Sequence, residues 1–486
     1  MTVFGIRSIE KHRIQMIFKI KWLGILSILC CVRLAAAQPM LRLPSIIGDH
    51  MVLQADTAVT VWGWANPGSD VTVKAGWLEQ AVTTKADYTT RWAVSVPTPA
   101  ASDTSYEIEI TNSRNARTVV RDVLIGQVWL CSGQSNMNRS AMSGIADMQE
   151  ELEKPMPQEI RLFTVTAGCS VYPEEDCIGH WEVCDKNSAR YFSAVGYFFG
   201  KRLYEELNHP IGLVNASWGG TPIEVWMPPR LFREYPEFRA SWLQEHAPHN
   251  SRWPEGSLYN AMIAPLLRTA FAGVIWYQGE SNKANARMYG RMFESMIVGW
   301  RQDFGRNLPF YFVQIAPYAK RPGMDAAIIR EGQDSVARKV PGTGMVVISD
   351  LVDDVRDIHP RYKAGVGNRL AAYALSEVYA HPCGKYRTPI CDAVSFRKGK
   401  AYVSFLHAPD GLVCKGAAPL TLELCGADGV YFPAEGKIDR KNNLLVVWSE
   451  SVHEPTGVRY SFSDDAIGNL FDATGLPVAP FNLNRL

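Results

Sequence analysis

The sequence predicts an α/β chain in which a parallel-sheet core is bracketed by two β-rich flanks. Three patterns carry that expectation. From about residue 39 to 120 the text is short, alternating and turn-rich, as in "TAVTVWGWANPG", "DVTVKAG", "RWAVSVPTP" and "SYEIEITNS". Apolar residues at a period of two, separated by Pro, Gly and Asn, describe antiparallel strands. The same style returns from about residue 386 in "AVSFRKGKAYVSF", "LTLELCG", "NNLLVVWSE" and "GVRYSFSD". Between them, strand-like apolar runs alternate with the helical patterns "YFSAVGYFFGKRLYEEL", "RMYGRMFESMIVGW" and "NRLAAYALSEVY", which implies βαβ units on a parallel sheet.

These shifts divide the chain into an N-terminal β domain over 38–120, an α/β domain over 121–385 and a C-terminal β domain over 386–486. A chain of 486 residues has room for two or three domains at roughly 150 residues each. The stretch 221–258, rich in Trp, Pro and Arg, reads as an excursion from the core.

Residues 1–37 read as a signal peptide. Lys19 and Lys21 precede the apolar run "WLGILSILCCV", and "LAAAQ" offers small residues for cleavage near Ala37. The run of about 11 residues is short of the about 20 that a membrane span needs. An exported chain, periplasmic or extracellular, is the expectation, with Met16 a plausible start. Lipidation at Cys30 is disfavoured, because Leu29 precedes it where a small residue is needed.

Basic and acidic residues number 50 and 49, so no long-range field favours nucleic acid or an anionic membrane surface. The oligomeric state is left open. Eight of the ten cysteines lie beyond the signal, an even number suited to an oxidising compartment. Cys383 with Cys391 and Cys414 with Cys425 are the expected bridges, while Cys169, Cys177 and Cys184 cluster without an obvious pairing. No C-x-x-C pair and no H-E-x-x-H stretch marks a metal site, so neither a metal nor an organic cofactor is expected.

The chemistry collects where the core strands end. "VLIGQVWLC" meets "SGQSNM", "IGLVNA" meets "SWGGTP", "FAGVIWY" meets "QGESN", and "GMVVIS" meets "DLVDDVRDIHP". Ligands of open α/β sheets bind beyond the carboxyl ends of the strands, so these four tips are expected to converge on one crevice. Ser135 is then a nucleophile in need of a base within hydrogen-bonding reach. His359 supplies one, and Asp357, two residues earlier, is the first choice to orient it; Asp350, Asp353 and Asp354 crowd the same loop.

An oxyanion formed on acyl transfer needs preorganised donors. Gly219 and Gly220 allow close approach of a backbone N–H, and the Gln278 amide offers another. Asn136 and Glu280 are expected to orient these groups or bind substrate. Trp218, Trp226 and Trp276 are read either as a platform for a sugar ring or as packing.

The blocks "GQSNM", "SWGGTPIEVW", "WYQGESN" and "DIHPRYK" resemble those of the sialate O-acetylesterase family, a carbohydrate-acetylesterase branch of the SGNH (GDSL-like) hydrolases. The resemblance covers most of the chain. It implies a three-layer SGNH-like domain flanked by β-sandwich-like regions, with Ser135 the nucleophile, His359 the base, and Gly219 or Gly220 with Gln278 the oxyanion hole. The wider superfamily usually has an Asn in the third block and an Asp three residues before the His; here Gln278 and Arg356 stand at those positions. Nor is this the G-x-S-x-G elbow, since Met137 replaces the second glycine.

The implied activity is metal-free hydrolysis of O-acetyl groups on glycans, most simply O-acetylated sialic acids, through an acyl-enzyme. An esterase for acetylated xylan or pectin and a non-catalytic secreted carbohydrate-binding protein are the alternatives. With His359 as base, the rate is expected to fall on acidification between about pH 8 and 4.

Overall fold

A computed structural model describes residues 40–245, 253–321 and 323–484. The signal segment, Cys30 and the cleavage position near Ala37 lie outside the described residues. The centre is a mixed α/β arrangement built on one long strand, Arg117–Gly133. Its first half pairs antiparallel with Ser102–Asn112 and parallel with Val52–Gln54. Its second half lies parallel between Ile211–Ser217 and Gly273–Tyr277. The position separating the first two expected domains, 120/121, therefore falls inside a single strand that serves both sheet regions.

Around this strand the central sheet runs Trp181–Val183, Ile160–Thr164, Ile211–Ser217, Arg117–Gly133, Gly273–Tyr277, Phe310–Val313 and Thr343–Val346. Only Trp181–Val183 runs antiparallel to its neighbour within that path. Strands covered on both faces read as continuous apolar runs, and Gly273–Tyr277 and Phe310–Val313 are buried at every residue. The period of two then sorts the side chains. Trp129 and Cys131 join a core with Phe199 and Leu370, from helices Ala194–Leu207 and Ala364–Glu377. Val128 and Leu130 join the core that contains Phe293 and Trp300 of helix Ala286–Phe304.

Sequence periodicity marks those three helices and misses a fourth, Asp325–Lys339. Its buried face is made of Ala326, Ala327, Ile329, Arg330, Gln333 and Val336, a stripe too small and too polar to stand out by hydropathy. The 221–258 excursion contributes Ile223, Val225, Trp226 and Met227 to the core and carries the helices Leu231–Glu234 and Pro236–Glu245.

Both flanks are β-rich. The first holds a three-stranded sheet of Leu41–Arg42, Ala58–Ala65 and Arg91–Pro97 beside the strands that reach the central sheet. The second is a seven-stranded sheet from Ile390–Arg397 to Phe481–Asn484 with a two-stranded companion. Asp464 ties that second flank to the core, accepting from Lys283 and from the Ala326 N–H at 2.7 Å.

The expected disulfides are not formed: all eight cysteines among the described residues are free. A bridge needs two Cβ atoms that face each other at short range. Cys414 pairs across its ladder with Leu470, whereas Cys425 lies opposite Gly457 and Tyr431. Cys383 turns its sulfur to Ser376 Oγ at 2.9 Å and to the Ala372 carbonyl, and Cys391 is buried and free. Among the described residues no helix is long and apolar enough to cross a membrane. No group of three or more His, Cys, Asp or Glu there is arranged to hold a metal ion.

The end of the central strand sets a strict steric condition. Gly133 has φ of 136°, and a Cβ on it would stand 2.2 Å from the Tyr277 carbonyl oxygen. Gly133→Ala is therefore expected to destabilise the fold by about 2–5 kcal/mol, combining backbone strain with overpacking. Thermal unfolding checks this, and an unchanged Tm contradicts it.

Candidate active site

Register decides where the strand tips stand. Gly133 is directly opposite Ser217 on one side and Tyr277 on the other, so three chains leave the sheet on one level. Two hydrogen bonds carry the order past that row: Gln134 N–H donates to Tyr277 O at 2.9 Å, and Trp218 N–H to Gly133 O at 3.1 Å. Ser135 then opens the short helix Ser135–Asn138.

The fourth tip arrives through the loop after Thr343–Val346, and its acidic run is sorted by arginines. Asp350 takes a two-pronged bond from Arg369, Asp353 binds Arg361, and Asp354 binds Arg356. Asp357 is left beside His359, accepting its backbone N–H at 2.9 Å. His359 Nε2 lies 2.9 Å from Ser135 Oγ across 224 positions of sequence. Its Nδ1 is 2.9 Å from Arg139 Nη2 and 3.7 Å from Asp357 Oδ1. Burial, then the Arg139 charge and that of Lys363, press the imidazole pKa down to about 4, with Asp357 pulling the other way. The ring is thus held neutral well below its ordinary range.

Behind this pair runs a buried clamp. Asn136, fully buried, donates to Glu280 Oε1 at 2.6 Å and to the Ile358 carbonyl at 3.0 Å, and accepts from Lys363 Nζ at 2.7 Å. One side chain next to Ser135 is thereby tied to the residue before His359 and to the Glu280 loop. Burial pushes the Glu280 carboxyl up, opposed by a backbone bond, Asn136 and Lys363. Burial also brings the Lys363 ammonium down to about 8. Lone buried charges are expensive, and the amide between these two gives each a partner.

Gly219 lies against the serine: a Cβ there would be 3.4 Å from that of Ser135. Gly220 is exposed, with φ of 75°. The backbone N–H groups of Ser135, Gly219 and Gly220 donate to no other group among the described residues. Gln278 is different. It is fully buried, and its Nε2 is engaged by Asn282 Oδ1 at 2.8 Å and by Thr221 O and Gln134 Oε1 at 3.2 Å. Protein acceptors therefore already occupy the N–H groups of the amide expected to face an oxyanion.

The tryptophans also separate. Trp226 and Trp276 are fully buried and pack edge to face at 6.1 Å, with Trp226 Nε1 donating to Thr221 Oγ1. Neither is open to a sugar, so of the two readings given for them packing is the one the burial of Trp226 and Trp276 fits. Trp218 is partly exposed and meets Trp253 edge to face at 5.6 Å.

Sequence reasoning passed over Arg139, Lys363 and Gln134. Lys363 closes the quoted block "DIHPRYK", and Arg139 follows Ser135 by one helical turn. Both positions place them near the serine and histidine loops once those are known to meet.

The geometry can be set beside known proteins. Residues 125–376 match the family model for carbohydrate esterases described as sialic acid-specific acetylesterase. The sialate O-acetylesterase of Homo sapiens is 30% identical over 406 residues, 75% of this chain and 76% of that one. That of Rattus norvegicus is 32% identical over 412 residues, 72% of this chain and 76% of that one. The crystal structure of a carbohydrate acetylesterase from Xanthomonas citri superposes with a TM-score of 0.82 at 35% identity, covering 92% of this chain and 100% of that one. These likenesses exclude the non-catalytic alternative: the protein is a carboxylic ester hydrolase for O-acetyl groups on glycans. The chain belongs to the sialic acid-specific acetylesterase family of carbohydrate esterases.

Proposed function

We propose that the chain removes O-acetyl groups from sialic acids through an acyl-enzyme on Ser135. The observation that supports this best is the 2.9 Å contact between Ser135 Oγ and His359 Nε2. In the forward half-reaction Ser135 attacks the acetyl carbonyl while His359 takes its proton and passes it to the departing sugar hydroxyl. In the second half, His359 draws a proton from water, the resulting hydroxide releases acetate, and the serine regains its proton. The N–H groups of Ser135 and of Gly219 or Gly220 meet the oxyanion, with Gln278 fixing the loop that presents them. Asp357 is the acid that orients the imidazole. Asn136, Glu280 and Lys363 hold the two loops in register.

The surrounding architecture fits this reading as a three-layer SGNH-like domain between β-sandwich-like flanks. The basic and apolar pattern before Ala37 supports an exported enzyme.

A second reading is favoured by one observation. The Xanthomonas citri protein, 35% identical and covering 92% of this chain, is described as a carbohydrate acetylesterase with no glycan named. An acetylated glycan other than a sialoside, such as xylan or pectin, is therefore the alternative substrate. Acetate release from O-acetylated sialic acid and from acetylated xylan, measured side by side, separates the two: faster release from xylan would reject the sialate reading.

Ser135→Ala and His359→Ala are each expected to lower hydrolysis of p-nitrophenyl acetate by at least about a thousandfold with the fold retained. Wild-type activity in either variant would overturn its role. The pH profile expected from sequence needs revision, because the base is neutral down to a pKa of about 4. For p-nitrophenyl acetate, kcat/KM should stay level on acidification and fall only near pH 4. A midpoint near the ordinary histidine value would contradict the depressed pKa.

A further inference from the structure

His359 offers two nitrogens, and the wrong neighbour holds one of them. A guanidinium only donates, so with Arg139 Nη2 at 2.9 Å the Nδ1 atom is an acceptor. The proton of the neutral ring is then on Nε2, directed at Ser135 Oγ. In that tautomer Nε2 cannot accept the serine proton. A working base needs the proton on Nδ1 and an acceptor to hold it there. Asp357 is poised for this but does not reach: its Oδ1 is 3.7 Å from Nδ1 and accepts the His359 backbone N–H instead.

Arg139 is distinctive in what it lacks. The arginines of the neighbouring loop and of the helix after it have acidic partners, Arg356 with Asp354, Arg361 with Asp353 and Arg369 with Asp350. Arg139 donates to the Ser143 carbonyl and to the imidazole and makes no ion pair among the described residues. It is partly exposed, one turn from the nucleophile. A guanidinium held by two neutral acceptors exchanges readily for a carboxylate, whose charge-assisted, two-pronged bond is stronger.

Resting on the assignment of Ser135 and His359 above, we propose that Arg139 receives a carboxylate borne by the substrate glycan and, in moving onto it, surrenders His359 Nδ1 to Asp357. An acidic sugar thus switches on the base that deacetylates it. The protons balance: Nε2 gives its hydrogen to water, Nδ1 takes one from water, and the ring stays neutral. The groups facing the imidazole are Arg139, Asp357, Lys363 and Ser135. Exchanging the Arg139 cation for the Asp357 anion at Nδ1 raises the basicity of Nε2 at the moment it is needed.

The test compares acetate release from O-acetylated N-acetylneuraminic acid, from its carboxyl methyl ester, from acetylated glucuronoxylan and neutral acetylated xylan, and from p-nitrophenyl acetate. Wild type should prefer the free acid to its methyl ester by about tenfold or more in kcat/KM. Whichever of the sialate and uronate substrates is faster identifies the source of the carboxylate. Arg139→Ala should erase the preference, falling on the acid and rising on p-nitrophenyl acetate, with the acid limb of the latter moved to higher pH. Equal wild-type rates on acid and methyl ester, or preference for neutral xylan, would overturn the proposal without need of the variant. So would an equal loss on every substrate in Arg139→Ala. Failure of the underlying assignment is separate and would show as activity surviving in Ser135→Ala.

Discussion

The site depends on a single row of backbone. Ser217, Gly133 and Tyr277 are paired side by side at the end of three parallel strands, and a parallel ladder fixes its neighbours in level as well as in distance. The serine, the glycine loop and the Glu280 loop leave the sheet from that row. They therefore meet without any of them needing a long, flexible reach. Gly133 makes the row possible, since at φ of 136° the backbone crosses so close to Tyr277 that a side chain has no room.

Electrostatics does the rest of the positioning. Asn136 joins the serine loop to the histidine loop and stands between a buried carboxyl and a buried ammonium. Such a network is costly when incomplete and rigid when complete. It also leaves the Ser135–His359 pair in a setting where burial, not a neighbouring acid, dominates the histidine. The imidazole is kept neutral, which a base requires, but at the expense of basicity. A charge arriving with the substrate is then a natural way to recover what burial removes.

Much of this was legible in the sequence, for physical reasons that can be named. Buried parallel strands announce themselves as unbroken apolar runs, so the four tips and the meeting of Ser135 with His359 followed from the sheet-edge rule. Asp357 stood out by proximity, but only the structure shows Arg369, Arg361 and Arg356 taking the competing carboxylates. What the sequence left open or missed shares a cause: composition does not reveal which way a side chain faces. Trp226 and Gln278 sit in the expected blocks yet turn inward, the first to Trp276 and the second to Asn282. Helix Asp325–Lys339 hid because its inner face is small and polar. Cys414 and Cys425 look matched in sequence and lie opposite other residues in their ladders. Arg139 carried no signal of its own, since a single basic residue after a short helix is ordinary.

The central claim is that Ser135 is the nucleophile activated by His359. The most direct measurement is peptide mass mapping after treatment with a fluorophosphonate, which adds covalently to an activated serine. The account predicts one adduct, on the peptide containing Ser135, with activity lost in proportion to labelling and no labelling in His359→Ala. Complete loss of activity with the adduct on another residue, or with Ser135 unmodified, would contradict it.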